Sequence, residues 1–574
     1  MLMMFSLRMF KILRPATFAI LLLLASGAFA QDVLQTNKMR EVLRDQQARI
    51  ALLWRQRDFT EAMGVLKEMY ATPDARELQD VWNGVLYNLA CGYALLGQPD
   101  SAFYFLGEAL DAGWSDLRHT REDSDLVSMH GDPRFTGILA RLQQKQSFWD
   151  NPAWNTPFKA RLSEEERVAG LSKLWSEAKY NFVYFDRLTG LNWDSLYVAY
   201  LPLVRRAKTT KNYYLVLEEF FAQLHDGHTG VTPPAELMTA LFARPMLDTR
   251  LLDDRVLVTA VDSSLRLRGI TPGVEITAIN GTPTLDYANR RVIPFIGAST
   301  PQDLNVRAYT WLLLAGDLKR DVRVTFRDMD GRMFSQDLPR VMRKFGPLAD
   351  LPPVDFRMLT GNIAYVGLNT FNDDHVVSRF DSLFPSLASA DGLILDLRQN
   401  GGGNSGTGWS ILGYLTDKPF LSSQWRTRDY RPTFRAWGRD QSWFGEAAYE
   451  LQPHASKHFL KPVIVLAGPQ TYSAAEDFCA VFDAMQRGRI LGEATGGSTG
   501  QPLMFTLPGG GSARICTKHD RYPDGTEFVG LGIAPDRVVA TCIDDIRAGR
   551  DPVLEAALDE LHQSPPANYN AMDH

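Results

Sequence analysis

Gly392-Leu-Ile-Leu-Asp-Leu-Arg-Gln-Asn-Gly-Gly-Gly403 and Pro462-Val-Ile-Val-Leu-Ala-Gly-Pro-Gln-Thr-Tyr-Ser-Ala-Ala-Glu-Asp-Phe-Cys-Ala-Val-Phe482 decide the fold of this chain. Each begins with a short, almost continuous apolar run, turns sharply at glycine, and continues into a stretch of different periodicity. Ala364-Tyr-Val-Gly-Leu368 is a third run of the same kind. Runs without polar alternation are strands covered on both faces, and after Ser473 the apolar spacing becomes helical. Strand, turn and helix in succession predict an α/β core over about 346–562.

Upstream the character changes. Between about 244 and 343 short β-branched runs, Val256-Leu-Val-Thr-Ala-Val261 and Val322-Arg-Val-Thr-Phe326, predict a β unit, placed at 241–345. Inside it, Gly269-Ile-Thr-Pro-Gly-Val-Glu-Ile-Thr-Ala-Ile-Asn-Gly281 resembles the core of a PDZ domain, with Asn280-Gly281 as a hairpin turn. PDZ domains bind extended peptide ends by strand addition. Amphipathic helices are expected over 156–240, including 171–180 and 213–222, and end at Asp226-Gly227 and Pro233-Pro234. A further helical region is expected over 31–155. There Ala62, Leu66, Met69 and Ala102, Leu106, Ala109 share offsets, and Leu89, Ala90, Tyr93 and Gly97 precede the second set. The set resembles a tetratricopeptide repeat, and an ordinary helical hairpin accounts for it equally well. Residues 563–574 are read as a tail.

Residues 1–30 read as a secretory signal peptide: Arg8, Lys11 and Arg14 precede an apolar run from Phe18 to Ala25, and Ala28-Phe-Ala30 fits a cleavage site. The mature chain is expected to be exported, with a Gram-negative periplasm the favoured location and no membrane span. The 574 residues carry 61 basic and 67 acidic side chains, a net charge of −6, which supplies no basic field for nucleic acid. Four cysteines are too few for a disulfide scaffold; Cys516 and Cys542 are the one pairing considered.

Two turns carry the chemistry. The triple glycine at 401–403 exposes backbone N–H groups to an anion or a transient oxyanion, and no Gly-Lys-Ser/Thr follows to make it a nucleotide loop. Ser473 stands where a helix begins, so unpaired N–H groups and the helix dipole there can stabilise developing negative charge. Serine is also a preferred N-cap, and Ser473-x-x-Glu476 is formally a capping box. Alone, Ser473 reads as a cap.

Four ordered motifs change that balance. Asp396-Leu-Arg-Gln-Asn-Gly-Gly-Gly403, Thr471-Tyr-Ser-Ala-Ala-Glu476, Gly492-Glu-Ala-Thr-Gly-Gly497 and Gly532-Ile-Ala-Pro-Asp536 follow one another, after Asp226-Gly-His-Thr229. The chain from Leu162 to Asp536 thereby resembles the C-terminal processing and tricorn-like serine peptidases. The resemblance implies Ser473 as nucleophile and the N–H groups of Ala474 and Gly402 as the oxyanion hole. In the processing branch the base is a lysine shortly after the Gly-Glu-x-Thr motif, where this chain has Ser498. The tricorn-like branch uses a histidine, which corresponds to His228. That branch orients the histidine with a preceding serine and a glutamate, where this chain has Gly227 and Val529. Glu527 would project on the same face as Val529 if the segment is a strand, and is taken as the substitute.

His225, close to His228, lacks further ligands for a metal site, and His454 and His458 are read as surface residues; neither a metal nor a cofactor is expected. The chain is therefore expected to be a multidomain α/β serine peptidase acting on polypeptides, with its N-terminal helices free to dock a protein partner. The competing class is a peptidase fold that has lost turnover and binds peptides or hydrophobic ligands. An esterase is disfavoured because no Gly-x-Ser-x-Gly elbow is present.

Overall fold

The computed structural model describes residues 46–563, apart from 48, 51, 55, 73–75, 77–78 and 150. The signal-peptide segment 1–30 and the tail beyond Gln563 lie outside the described residues. The chain divides into two compact units, with the division between Asn151 and Pro152.

The first unit is helical: Phe59–Ala71, Gln79–Leu95, Pro99–Asp111, Leu117–Glu122 and Pro133–Trp149. The shared offsets of the sequence are core positions, since Ala62, Leu66, Met69, Ala102, Leu106 and Ala109 are all fully buried. Gly97, at φ 69°, makes the turn between two of these helices, in a backbone region that glycine enters without strain.

The second unit is built on a six-stranded sheet: β1 Val354–Leu359, β2 Ile363–Leu368, β3 Gly392–Asp396, β4 Val463–Ala467, β5 Arg489–Gly492 and β6 Arg537–Val538. The spatial order is β6-β5-β4-β3-β2-β1, parallel throughout except for the antiparallel pair β1 and β2. Strand alternation divides the apolar runs between two layers. Ile363, Tyr365, Ile394, Ile464 and Leu466 pack under the helix Pro552–Gln563 through Val553, Ala557 and Leu561. Ala364, Val366, Leu393, Leu395, Val463 and Val465 join the larger core with Phe380, Ile411, Phe478 and Phe482. Both faces are covered, which explains why these strands read as continuous apolar runs.

Three helices before the sheet, Glu164–Asn181, Trp193–Arg206 and Thr210–Ala222, share that larger core through Leu171, Leu174, Trp193, Val204, Tyr213 and Phe220. The first opens with a reciprocal cap in which Glu166 N–H donates to Ser163 Oγ at 3.1 Å and Ser163 N–H to Glu166 Oε2 at 2.9 Å. A small three-stranded sheet, Gly230–Thr232, Gly511–Cys516 and Pro502–Leu507, ties their end to the C-terminal part of the chain.

The expected β unit has its own core. Leu247–Leu252, Arg255–Val261, Glu275–Ile279, Val322–Arg327 and Met333–Leu338 form an antiparallel sheet around Val258, Ile276, Ile279, Val324 and Phe326. The predicted hairpin turn is there: Asn280 and Gly281 both take positive φ, 50° and 79°, between paired strands. Helical segments Pro301–Asn305 and Val306–Leu312 follow. All four cysteines are free, Cys516 buried and Cys542 exposed, so the pairing considered from sequence is not formed.

Candidate active site

Strand β4 ends at Ala467, and Thr471 bends the chain back over β3: its hydroxyl donates to Leu397 O at 2.9 Å and accepts from Gly468 N–H at 3.0 Å. Ser473 then sits at φ 57°, ψ −125°, immediately before the helix Ala474–Ala484. A non-glycine residue there costs on the order of 1–3 kcal/mol, and buried surroundings hold it in place. The backbone half of the capping box is made, Ser473 N–H to Glu476 Oε2 at 3.2 Å. The hydroxyl does not cap the helix. It lies 3.0 Å from His228 Nε2.

His228 reaches this position from 245 residues upstream. It follows the helix Thr210–Ala222 and stands two residues before the start of strand Gly230–Thr232, whose pairing of Gly230 with Arg514 and Thr232 with Ser512 fixes the loop. The ring is buried, and Tyr472 lies parallel to it at 5.1 Å. Its Nδ1 meets the hydroxyl of Ser498 at 2.9 Å. A neutral imidazole has one N–H; with that proton on Nδ1 and donated to Ser498, Nε2 is left to accept from Ser473. Burial, reinforced by Arg514, Arg307 and Lys518, depresses the His228 pKa to about 3. The ring is thus neutral over the whole physiological range, and its protonated form is disfavoured.

Ser498 is itself fully buried and held by Glu476. The Glu476 carboxylate accepts from Thr495 Oγ1 at 2.5 Å, Gly497 N–H at 2.6 Å and Ser498 N–H at 2.9 Å. Burial pushes its pKa up to about 8 against the pull of these donors. One carboxyl therefore clamps the start of the Ser473 helix to the loop that presents Ser498.

Glu527 is elsewhere. It bonds His519 Nε2 and pairs with Arg521 at 2.6 Å and Arg187 at 3.1 Å. The reason is local: 522–532 is not a strand but two successive turns, closed by Gly525 N–H to Tyr522 O and Gly532 N–H to Phe528 O, so strand parity does not apply. The two expected oxyanion donors also differ. Among the described residues the Ala474 N–H has no acceptor. The Gly402 N–H, by contrast, is bound to Asn400 Oδ1 at 2.9 Å. Gly402 nevertheless abuts the serine, since a Cβ there would lie 2.7 Å from Ser473 Cβ, and its φ of 95° also requires glycine.

The β unit grips the histidine loop. Ser299 Oγ accepts from Gly227 N–H at 3.1 Å and donates to Asp226 Oδ1 at 3.2 Å. Arg307, paired with Asp303 at 2.6 Å, donates to the Tyr472 hydroxyl at 2.8 Å. These contacts account for Gly227, where the tricorn-like branch has serine: a Cβ would fall 1.9 Å from the Tyr472 hydroxyl oxygen and 2.7 Å from Arg307 Nη2. Ser498, Tyr472, Asp303 and Arg307 were not singled out as site residues from sequence. Only Ser498 left a signal, as the residue in the place of the processing-branch lysine.

A cleft of about 1100 Å³, lined in part by His228, Arg307, Trp311, Ser473 and Arg514, opens beside the pair. His225, at φ 46°, is exposed outside it. His454 stacks on Tyr414 at 4.3 Å, and His458 bonds the His454 carbonyl, both away from the cleft. The arrangement can do nucleophilic acyl chemistry: a hydroxyl on a strained turn, a neutral ring nitrogen to take its proton, and a free N–H at a helix start for the oxyanion.

Residues 362–539 match Peptidase family S41, and residues 163–222 match the Tricorn protease C1 domain. A carboxyl-terminal-processing protease of Synechocystis sp. is 25% identical over 435 residues, which are 71% of this chain and 89% of that protein. A carboxy-terminal-processing protease of Bartonella bacilliformis is 26% identical over 228 residues, 38% of this chain and 48% of the relative. Among solved structures, mature CPAF complexed with lactacystin superposes with a TM-score of 0.54 at 15% identity, covering 69% of this chain and 97% of the other. That likeness is one of fold.

Proposed function

We propose, taking the chain as the serine-type peptidase that its S41 domain and processing-protease relatives make it, that Ser473 is the nucleophile, His228 its base and Ser498 the group that holds the base. Ser473 Oγ attacks the scissile carbonyl while His228 Nε2 takes its proton; the same proton passes to the leaving amine as the carbon–nitrogen bond breaks. Water then attacks the acyl-serine with His228 again as base. The Ala474 N–H is one donor to the oxyanion. The Gly402 N–H becomes the second when substrate draws it from Asn400. The single observation that carries this reading is the 3.0 Å approach of Ser473 Oγ to His228 Nε2 in a site where the other ring nitrogen is anchored.

The substrates are polypeptides. The β unit at 241–345 is read as a PDZ-like domain that captures an extended peptide, and the N-terminal helices as a docking surface. Among the described residues no helix is long and apolar enough to cross a membrane. The signal-peptide pattern of residues 1–30 supports an exported, periplasmic enzyme.

Two features favour a second reading, a peptide-binding protein with little turnover: among the described residues no carboxylate faces His228 Nδ1, and the Gly402 N–H is occupied. Digestion of a denatured protein by the wild type and by Ser473→Ala separates them. New termini that depend on Ser473 support the peptidase. Peptide binding without cleavage by either protein supports the second reading.

A further inference from the structure

Ser473 borders two cavities. The larger one contains His228. The smaller, about 430 Å³, does not; it extends from Ser473 and Ala474 to Lys518 and Asp520 and is also lined by Asp477 and Thr499. The distinction has a chemical meaning that rests on Ser473 and His228 acting as proposed. His228 must protonate the leaving amine, so the leaving group lies on its side of the serine. The acyl half lies on the side of the Ala474 N–H, which receives the oxyanion. The smaller cavity is therefore placed to take the side chain of the residue that supplies the scissile carbonyl.

Its lining is unusual for such a pocket. Asp477 and Asp520 are buried, and Lys518 pairs with Asp520 at 2.7 Å. Asp477 takes hydrogen bonds from Ser405 Oγ at 2.5 Å and Ser423 Oγ at 3.4 Å. Among the described residues the Thr499 hydroxyl, on a residue 1% exposed, has no partner, and neither does Trp409 Nε1 at the same cavity. Two carboxyl groups against one ammonium leave a formal excess of one negative charge. An aliphatic side chain entering here would strip water from these groups and offer no partner in return. A carboxylate would meet two others. A guanidinium or ammonium would find carboxylate and hydroxyl acceptors.

We propose that this cavity selects a basic residue, arginine or lysine, immediately before the cleaved bond. Burial and neighbouring Asp520 push the Asp477 pKa up, and an arriving cation would draw Asp477 into the ionised form.

The test compares short fluorogenic peptides that differ only in that residue, Arg, Lys, Leu, Ala or Glu, together with aryl phosphonates carrying an arginine-like or a leucine-like side chain, read as covalent labelling of Ser473. For the wild type, kcat/KM for Arg and Lys should exceed that for Leu by at least about tenfold. In Asp477→Asn, which Ser405 and Ser423 can still satisfy, the ratio of kcat/KM for Arg to that for Leu should fall several-fold. Best cleavage after Leu, Ala or Glu would overturn the inference with the peptidase reading intact. So would an Arg preference that persists in both Asp477→Asn and Asp520→Asn. Absence of labelling and of cleavage by every compound would instead remove Ser473 as nucleophile, and this inference with it.

Discussion

Replacing Ser498 with alanine removes the oxygen that holds His228, and the structure sets the size of the effect. The hydroxyl is fully buried and 2.9 Å from Nδ1, so its loss leaves a buried ring N–H without an acceptor. An orphaned buried donor costs about 1–3 kcal/mol. If the productive tautomer and ring orientation bear that cost, kcat falls roughly 5- to 150-fold, at about 1.4 kcal/mol per tenfold. That is well below the roughly 10⁴-fold loss on neutralising a triad aspartate, because Ser498 orients the ring without countering a developing imidazolium charge. The assay is steady-state hydrolysis of one good peptide, with the rate of fluorophosphonate labelling measured in parallel and melting followed to confirm folding. KM should change little, since Ser498 lies behind the ring. Ser498→Thr retains the hydroxyl and should recover most of the rate. Wild-type kcat in a folded Ser498→Ala protein would refute the idea that this contact positions the base, and so would equal losses in the alanine and threonine variants.

Because the His228 pKa is depressed to about 3, the active neutral ring persists into acid, and the acid limb of kcat/KM should lie below pH 5 rather than near 6.5. The sign for stability is the same: an unfolded histidine protonates near 6.5 and the folded one does not, so His228 contributes stability above that pH that is lost as pH falls toward 3. A bell-shaped profile with a limb at 6 to 7 would contradict the placement. Gly227→Ser, although serine is the tricorn-like residue there, should lower activity at least about tenfold because its Cβ must displace the Tyr472 hydroxyl or Arg307; unchanged kinetics would show the loop to be adaptable. Glu527→Gln should alter kcat by less than about twofold, since its partners are His519, Arg521 and Arg187; a loss of orders of magnitude would return Glu527 to the site.

The strands that carry the site were legible because burial on both faces leaves no polar alternation, as in Leu393–Leu395 and Val463–Leu466. The turn at Asn280-Gly281 was legible because its backbone geometry favours those residue types. Glu527 was misplaced by an argument that holds only inside a strand, and 522–532 turns twice instead. Ser498 could not be found by spacing, since it meets His228 across 270 residues and is held there by Glu476, whose capping position disguises a second task. Gly227 looked like a missing catalytic serine. In three dimensions its place is filled by Tyr472 and Arg307, groups supplied by two other parts of the chain.

Intact-protein mass spectrometry after exposure to a fluorophosphonate reads out whether Ser473 is a nucleophile activated by His228. The wild type should gain one adduct, mapped to the peptide containing Ser473. Ser473→Ala should gain none, and His228→Ala should label more slowly by orders of magnitude. A wild type that never labels, or an adduct that persists in Ser473→Ala, would show that Ser473 is not the nucleophile; labelling at full rate in His228→Ala would show that His228 does not activate it.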